Sequence, residues 1–262
     1  MTAPPRSTGV QSLARAFDLM ELIADLGGEA GVTELSARSG LPPATIHRLV
    51  RTLVDLGYLR QTPSRSYTLG PRLIRLGETA SRLIGRWATP VLTELVARFQ
   101  ETANLAVLDA DHAVYVAQVP SPHSVRMFTE VGRRVPLYCT GVGKALLAHL
   151  PDERVEAYLN KRALAAVTPT TITDPAGLRQ ELDAIRLRGY AIDDGEREPG
   201  VRCVAAAVPG APAATALSVS GPQGRISDAD VVGIGTSLME LAVDLADRLN
   251  GAGGSARDRP PA

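Results

Sequence analysis

The chain is predicted to be an α+β protein with an N-terminal winged helix-turn-helix, a linker helix and a larger mixed α/β domain. Three observations predict it. Residues 32–70 run in the order helix, glycine stop, helix, short hairpin; arginine crowds into that part of an otherwise neutral chain; and after Trp87 helical periodicity gives way to strands interleaved with helices. At 262 residues the chain exceeds one small DNA-reading head and suits two domains of about 100 to 200 residues.

Residues 1–10 carry Pro4, Pro5 and Gly9 without periodicity and read as a flexible tail. Ser12 is placed to cap a first helix in which Leu13, Ala16, Phe17, Met20 and Ile23 form the apolar stripe behind the reading helices, and Gly27-Gly28 ends it. Thr33 is placed to cap a short helix with Leu35 and Ala37 apolar; Ser39-Gly40 stops it, because glycine enters the left-handed region without steric cost. Pro42 and Pro43 suit the first turn of the next helix, where an amide proton is unpaired anyway. Ile46, Leu49, Val50, Leu53 and Val54 recur at three and four residues as its buried stripe, and Gly57 closes it. Tyr58–Arg60 and Tyr67–Leu69 then flank a polar, cationic hairpin tip, the wing.

From Arg38 to Arg86 there are nine arginines against Asp55 and Glu78, a net +7, while the whole chain sums to zero. A concentration of positive charge on a helix-turn-helix is the footprint of a backbone-contacting DNA module. The polar face of the second helix supplies Thr45, His47, Arg48 and Thr52 for base edges, while Arg51 and the wing's Arg65 face phosphates. A merely solvated arginine face is the alternative; the order of turn, polar face and wing argues against it.

Gly70-Pro71 starts a linker helix, residues 71–87, with Leu73, Leu76, Ala80, Leu83 and Ile84 apolar; a stripe between domains must be buried against something, which makes it a candidate dimer element. The second domain spans residues 88–250. It reads as helix Pro90–Gln100, strands Asn104–Leu108 and Ala113–Gln118 about an Asp109–Asp111 turn, a strand Val125–Glu130, and helices Leu137–Leu150, Asp152–Asn160 and Asp174–Leu187. Strands Ala191–Asp193, Val201–Val208 and Thr215–Ser220 and a closing helix Asp228–Leu249 follow, then a tail, residues 251–262, that is disordered by composition.

No stretch approaches the ~18 apolar residues of a membrane span, and Met1–Gln11 has no apolar signal core, so a cytoplasmic protein is expected, without membrane contact. Two cysteines, Cys139 and Cys203, and four scattered histidines give no metal-ligand spacing, and neither metal nor cofactor is expected. Gly141-Val-Gly143-Lys144-Ala145 is not a phosphate loop, which needs Gly at Tyr138 and Ser or Thr at Ala145; what remains is a glycine turn at a helix start, where free amides favour an anion, or an ordinary tight turn. Asp193, Asp194, Glu196 and Glu198 crowd before Cys203, yet no neighbouring histidine activates that thiol, and loop acids with a core cysteine are the plainer reading. Ser218 and Ser220 share one face of a strand.

Taken in order and spacing, the winged helix, the linker, Gly132–Leu137, Thr140–Ala145, the Asp193–Cys203 stretch and Ser218–Pro222 resemble the IclR family of bacterial transcription regulators, from about Gln11 to Asn250. The resemblance implies a DNA-binding domain over 11–70, a GAF-like effector-binding domain, and dimers that often pair into tetramers, leaving dimer or tetramer open. It implies an effector pocket drawn from Met127, Val135, Gly141 and Val142 on one side and Asp193, Val201, Cys203, Ser218 and Ser220 on the other. The turn's amides and both serines would hold a small organic acid, with Asp193 and Cys203 on the floor. The expected partners are therefore a palindromic double-stranded DNA operator, a small organic acid effector and further copies of the chain. Two other readings stay open: a catalytic second domain led by Asp193 or Cys203, and a constitutive DNA-binding protein without a ligand.

Overall fold

The computed structural model describes residues 10–255 except Phe128 and Arg162; within 81–86 and 251–255 it describes the backbone alone. The 1–10 and 251–262 tails fall largely outside the described residues, as do the side chains of Leu83 and Ile84. Contacts divide the chain into two compact units, residues 1–80 and 81–262.

In the first unit α1 (Gln11–Asp25), α2 (Val32–Ser39) and α3 (Pro43–Asp55) pack over a three-stranded antiparallel sheet of β1 (Glu29–Ala30), β2 (Leu59–Gln61) and β3 (Tyr67–Leu69), in the order β1-β3-β2. Leu19, Met20, Ile23, Leu35, Ile46, Val50, Leu53, Leu59 and Tyr67 form its core. The stops are as predicted: Gly27, Gly28, Gly40 and Gly57 all have positive φ, and Pro43 occupies the first turn of α3. The caps are not. α1 starts after Val10 and α2 after Gly31, neither with a capping side chain, so Ser12 and Thr33 lie inside their helices. The stripe of α1 is also corrected: Leu19, Met20 and Ile23 are buried, but Leu13 and Phe17 are 58% and 55% exposed, because with Val10 they recur along a neighbouring face that turns away from the core. Ala37 is exposed as well.

The helix α4 (Arg72–Phe99) continues without a break through Pro90, where two helices were expected. Proline in a helix interior costs about 3 kcal/mol. Pro90 stands on the exposed face while Ala88, Val91, Leu92 and Leu95 bury the opposite one, and four buried side chains at about 0.8 to 3 kcal/mol each outweigh that cost.

The second unit is built on a six-stranded, wholly antiparallel sheet of β4 (Thr102–Asp109), β5 (His112–Val119), β6 (Arg134–Pro136), β7 (Ala191–Asp194), β8 (Val201–Ala207) and β9 (Thr215–Pro222), in the order β6-β5-β4-β9-β8-β7. On one face lie α8 (Asp228–Ser255) and the end of α4, against Ala103, Leu105, Val204, Ala206, Leu217 and Val219. The other face, with Ala106, Tyr115, Ala205 and Ala216, is covered by α5 (Gly141–Ala148), α6 (Asp152–Lys161) and α7 (Pro175–Arg188). Alternation along each strand thus feeds two separate cores.

The strand expected at Val125–Glu130 does not form among the described residues, which leave out Phe128. The edge of β5 is taken by β6, His112↔Pro136 to Val114↔Arg134, so residues 120–133 cross as a loop. That loop is tied by side chains instead: Thr102 Oγ1 donates to the Met127 carbonyl (3.0 Å) and Arg225 to that of Val125 (3.0 Å). α5 is shorter than the Leu137–Leu150 expected, because Thr140, fully extended at φ −129°, is its N-cap.

Candidate functional site

On α3 the stripe Ile46, Val50 and Leu53 faces the core, which turns His47, Arg48, Arg51 and Thr52 outward; all four are exposed, and Thr45 is half-buried at the start of the helix. Thr52 Oγ1 donates to the Arg48 carbonyl one turn back (3.1 Å), leaving only its lone pairs free to receive a donor. The wing closes through Thr62 N to Ser66 O (2.9 Å) and Arg65 N to Thr62 O (3.0 Å), with Arg65 at φ +65° and exposed at its tip. An arginine-bearing helix face beside a cationic hairpin tip can lie along a duplex, the helix in a major groove and the tip on the backbone.

The second unit holds a cavity of about 90 Å³ on the α5 face of the sheet, room for several waters or a compact organic molecule. It is assembled from distant segments. β5 provides Tyr115, the 120–133 loop Met127, Thr129 and Arg133, and β6 Val135. The start of α5 provides Thr140 and Gly141. β7 provides Asp193, the β7–β8 turn Arg197 and Glu198, β8 Val201 and Cys203, and β9 Ser220. Of the residues singled out from sequence, Met127, Val135, Gly141, Asp193, Val201, Cys203 and Ser220 meet here. Val142 and Ser218 are not among the lining residues. One position after Gly141 the helix rotates Val142 into the core, and Ser218 is fully buried with its hydroxyl receiving Asn104 Nδ2 (3.4 Å). Tyr115, Thr129, Arg133, Thr140, Arg197 and Glu198 were missed; Arg133, Thr140, Arg197 and Glu198 sit inside the quoted motifs, whereas Tyr115 arrives only through strand order.

The helix start is built for close approach. Thr140 Oγ1 accepts from Gly143 N (3.2 Å) and donates to Pro136 O (2.7 Å). A Cβ on Gly141 would stand 2.7 Å from Cys203 Sγ, so glycine is what allows the α5 backbone to reach the cavity wall. Asp193, 5% exposed, accepts through Oδ1 from the amides of Glu196 (2.8 Å) and Arg197 (3.4 Å). Burial, with the Glu196 charge beside it, pushes its carboxyl up to about 7 despite those amides. Arg133 and Arg197 both lie near enough to act on the Tyr115 hydroxyl, whose ionisation burial raises far above the ordinary phenol range. Two arginines against Glu198, with Asp193 raised to about 7 and so only partly ionised near neutral pH, leave the cavity cationic.

Burial pushes the thiols of Cys203 and Cys139 up to about 12 and about 11, so neither is a thiolate nucleophile at neutral pH. No histidine lines the cavity, and no cluster of metal-binding side chains occurs among the described residues. No helix is long and apolar enough to cross a membrane, again among the described residues.

Two family models match: residues 12–63 the IclR helix-turn-helix domain, and residues 79–247 the bacterial transcriptional regulator IclR C-terminal domain. Among relatives, the transcriptional repressor IclR of Escherichia coli is 37% identical over 256 residues, covering 93% of this chain and 91% of that protein. Among solved structures, an IclR transcriptional regulator from Alicyclobacillus acidocaldarius superposes with a TM-score of 0.81 at 30% identity, over 91% of this chain and 98% of that one. An IclR homologue from Microbacterium hydrocarbonoxydans, complexed with 4-hydroxybenzoate, superposes at 0.77 and 26% identity, over 92% of this chain and all of that one.

Proposed function

Because this chain belongs to the IclR family, and is thus a DNA-binding transcriptional regulator and not an enzyme, we propose that a small organic acid bound in its second domain modulates its hold on a palindromic operator. The observation that carries the reading is the cavity itself, in which Arg133, Arg197, Ser220 and the α5 amides at Gly141 converge beside Asp193, whose carboxyl burial raises to about 7. Donors and positive charge in a partly dry site favour a carboxylate. The neighbour crystallised with 4-hydroxybenzoate supports the same class.

On the DNA side, Thr45, His47, Arg48 and Thr52 read base edges and Arg51 and Arg65 hold phosphates. One reading helix spans few base pairs, so two copies bind a pseudo-palindrome with half-sites about one helical turn apart. Exposed apolar side chains support self-association: Val10 just before α1, Leu13 and Phe17 on it, and Ile74 and Leu76 on α4. The domain limits we adopt are 11–70, 71–87 and 88–250, with the cytoplasm as the working compartment.

The test is a thermal-shift screen against small monocarboxylates, 4-hydroxybenzoate included, followed by operator binding with and without each hit, the operator being selected from a random duplex library. An acid that raises the melting temperature and changes operator affinity without being consumed supports the reading. Its consumption, or the absence of any binding acid, contradicts it.

A further inference from the structure

Lys144 is one of only two lysines in the chain and is 1% exposed, yet it does not line the cavity. It stands one residue after Gly143 in α5, less than a turn from Gly141, which does. Its ammonium donates to the Glu196 carboxylate and, at 3.4 Å, to Glu181 of α7; Glu181 in turn receives Arg188 at 2.7 Å. Two cations and two carboxylates therefore balance in a chain behind the cavity wall.

Glu196 lies in the turn that follows Asp193 of β7 and supplies Arg197 and Glu198 to the cavity. The backbone of that turn hangs from two hydroxyls, Thr168 donating to the Gly195 carbonyl (2.7 Å) and Thr171 to that of Glu196 (2.7 Å). Beside Asp193, whose Oδ1 takes two amides of the turn, Glu196 is also held inward and buried, and its second oxygen, Oε2, has no hydrogen-bond partner among the described residues. Half of that carboxylate is thus dry and unpaired, and its buried charge depends on Lys144. A buried ion pair is poor evidence for stability, since a neutral isosteric pair does about as well. What a neutral pair without a donor cannot do is fix the distance between the two backbones that carry it.

We propose that the buried Lys144–Glu196 pair is the positioning element of the cavity, tying the first turn of α5 to the 193–200 turn and so setting where Gly141, Asp193 and Arg197 meet a ligand neither partner touches. Lys144 and Glu196 are then positioning residues. The geometric statement stands on the unliganded protein; only its consequence for affinity rests on the organic-acid reading above.

Two variants of the full chain separate positioning from charge. Glu196→Gln keeps an acceptor for Lys144, so the tether survives as a hydrogen bond from the ammonium to an uncharged amide oxygen. Lys144→Met/Glu196→Gln removes the tether while leaving no uncompensated Glu196 charge, so the domain is expected to fold. Hydrogen exchange without any ligand is the first readout. The Glu196 and Arg197 amides are expected to exchange within about threefold of wild type in Glu196→Gln and at least tenfold faster in the double variant, with the β4–β9 ladder unchanged in both. The second readout uses whichever acid of the monocarboxylate panel binds wild type: its affinity is expected to fall at least tenfold in the double variant only. Equal protection over 193–200 in both variants and wild type overturns the proposal, as does a double variant that loses protection in turn and ladder alike. If no acid binds wild type, the functional reading fails and the exchange readout still decides this one.

Discussion

Arginine serves two surfaces of this protein under opposite physical conditions. On α3 and the wing Arg48, Arg51 and Arg65 stand in water, their charges screened over about 8 to 10 Å at physiological salt. Around the cavity Arg133 and Arg197 act on the Tyr115 hydroxyl, a group that burial has already shifted. The first surface gains from counterion release and from shape, so single losses there are moderate, graded by salt and additive. The second gains from donors fixed in a partly dry space, so small displacements matter more. Predicted effects should follow that division, largest where backbone meets backbone in the sensor and smallest at the rim of the reading head.

The largest effect is expected at Gly143, where an added Cβ would collide with the backbone of Leu137 and with Thr140 Oγ1, the cap of α5. Backbone cannot step aside as a side chain tip can, so Gly143→Ala should cost about 3 kcal/mol, read by urea denaturation. A loss under about 0.5 kcal/mol would show the α5 start to be pliable and the contrast between the two surfaces overstated.

Next comes Ser220→Ala. Removing one hydrogen bond to a charged ligand group should cost about 1.5 to 3 kcal/mol, one to two decades in acid affinity, with operator binding of the free protein intact. Calorimetry with the acid checks it; unchanged affinity would place the acid elsewhere.

On the reading head, Arg48→Ala should weaken operator binding by about 1 to 3 kcal/mol and random-duplex binding less. Arg65→Ala should weaken both alike and reduce the slope of log affinity against log salt by about one. Titrations at matched salt distinguish these; a uniform loss in Arg48→Ala would make it a phosphate contact.

The smallest effect sharpens the contrast through pH. Asp193 titrates near 7 in the folded chain against an ordinary 3.8. Its protonated form is favoured by folding, so its contribution to stability is fully present below about 4 and is lost as pH rises toward 7. Melting temperature should decline across that window, and Asp193→Asn should flatten the decline. Carboxylate affinity should weaken above pH 7, where an ionised Asp193 faces the ligand's charge.

How far each surface was legible from sequence follows the same physics. The helix-turn-helix is local: Gly40, Gly57, Pro43 and the Ile46–Val50–Leu53 stripe specify it within twenty residues. Where local rules erred, packing had overridden them. Leu13 and Phe17 recur as a core stripe would, but Leu19, Met20 and Ile23 make the one that is buried. Pro90 marks a helix end by rule, but its exposed face tolerates it. Val125–Glu130 has a strand's composition but no free edge to pair with. The cavity is non-local: Tyr115, Arg133 and Arg197 converge only because β6, β5 and the β7–β8 turn share a face, and no spacing encodes that. The motif stretches pointed at six of its residues, the family resemblance added Met127, and both overshot at Val142 and Ser218, each one step deeper into the core.

The central claim is that the acid cavity and the reading helix are separate sites joined by a coupling free energy. The direct measurement is operator affinity, by fluorescence anisotropy, with and without the binding acid, in wild type and in Ser220→Ala/Asp193→Ala. The account predicts at least a fivefold acid-dependent change in wild type, a coupling of about 1 kcal/mol, and none in the double variant, whose acid-free operator affinity matches wild type. An undiminished acid response in the double variant, or wild-type operator affinity indifferent to a tightly bound acid, would contradict it.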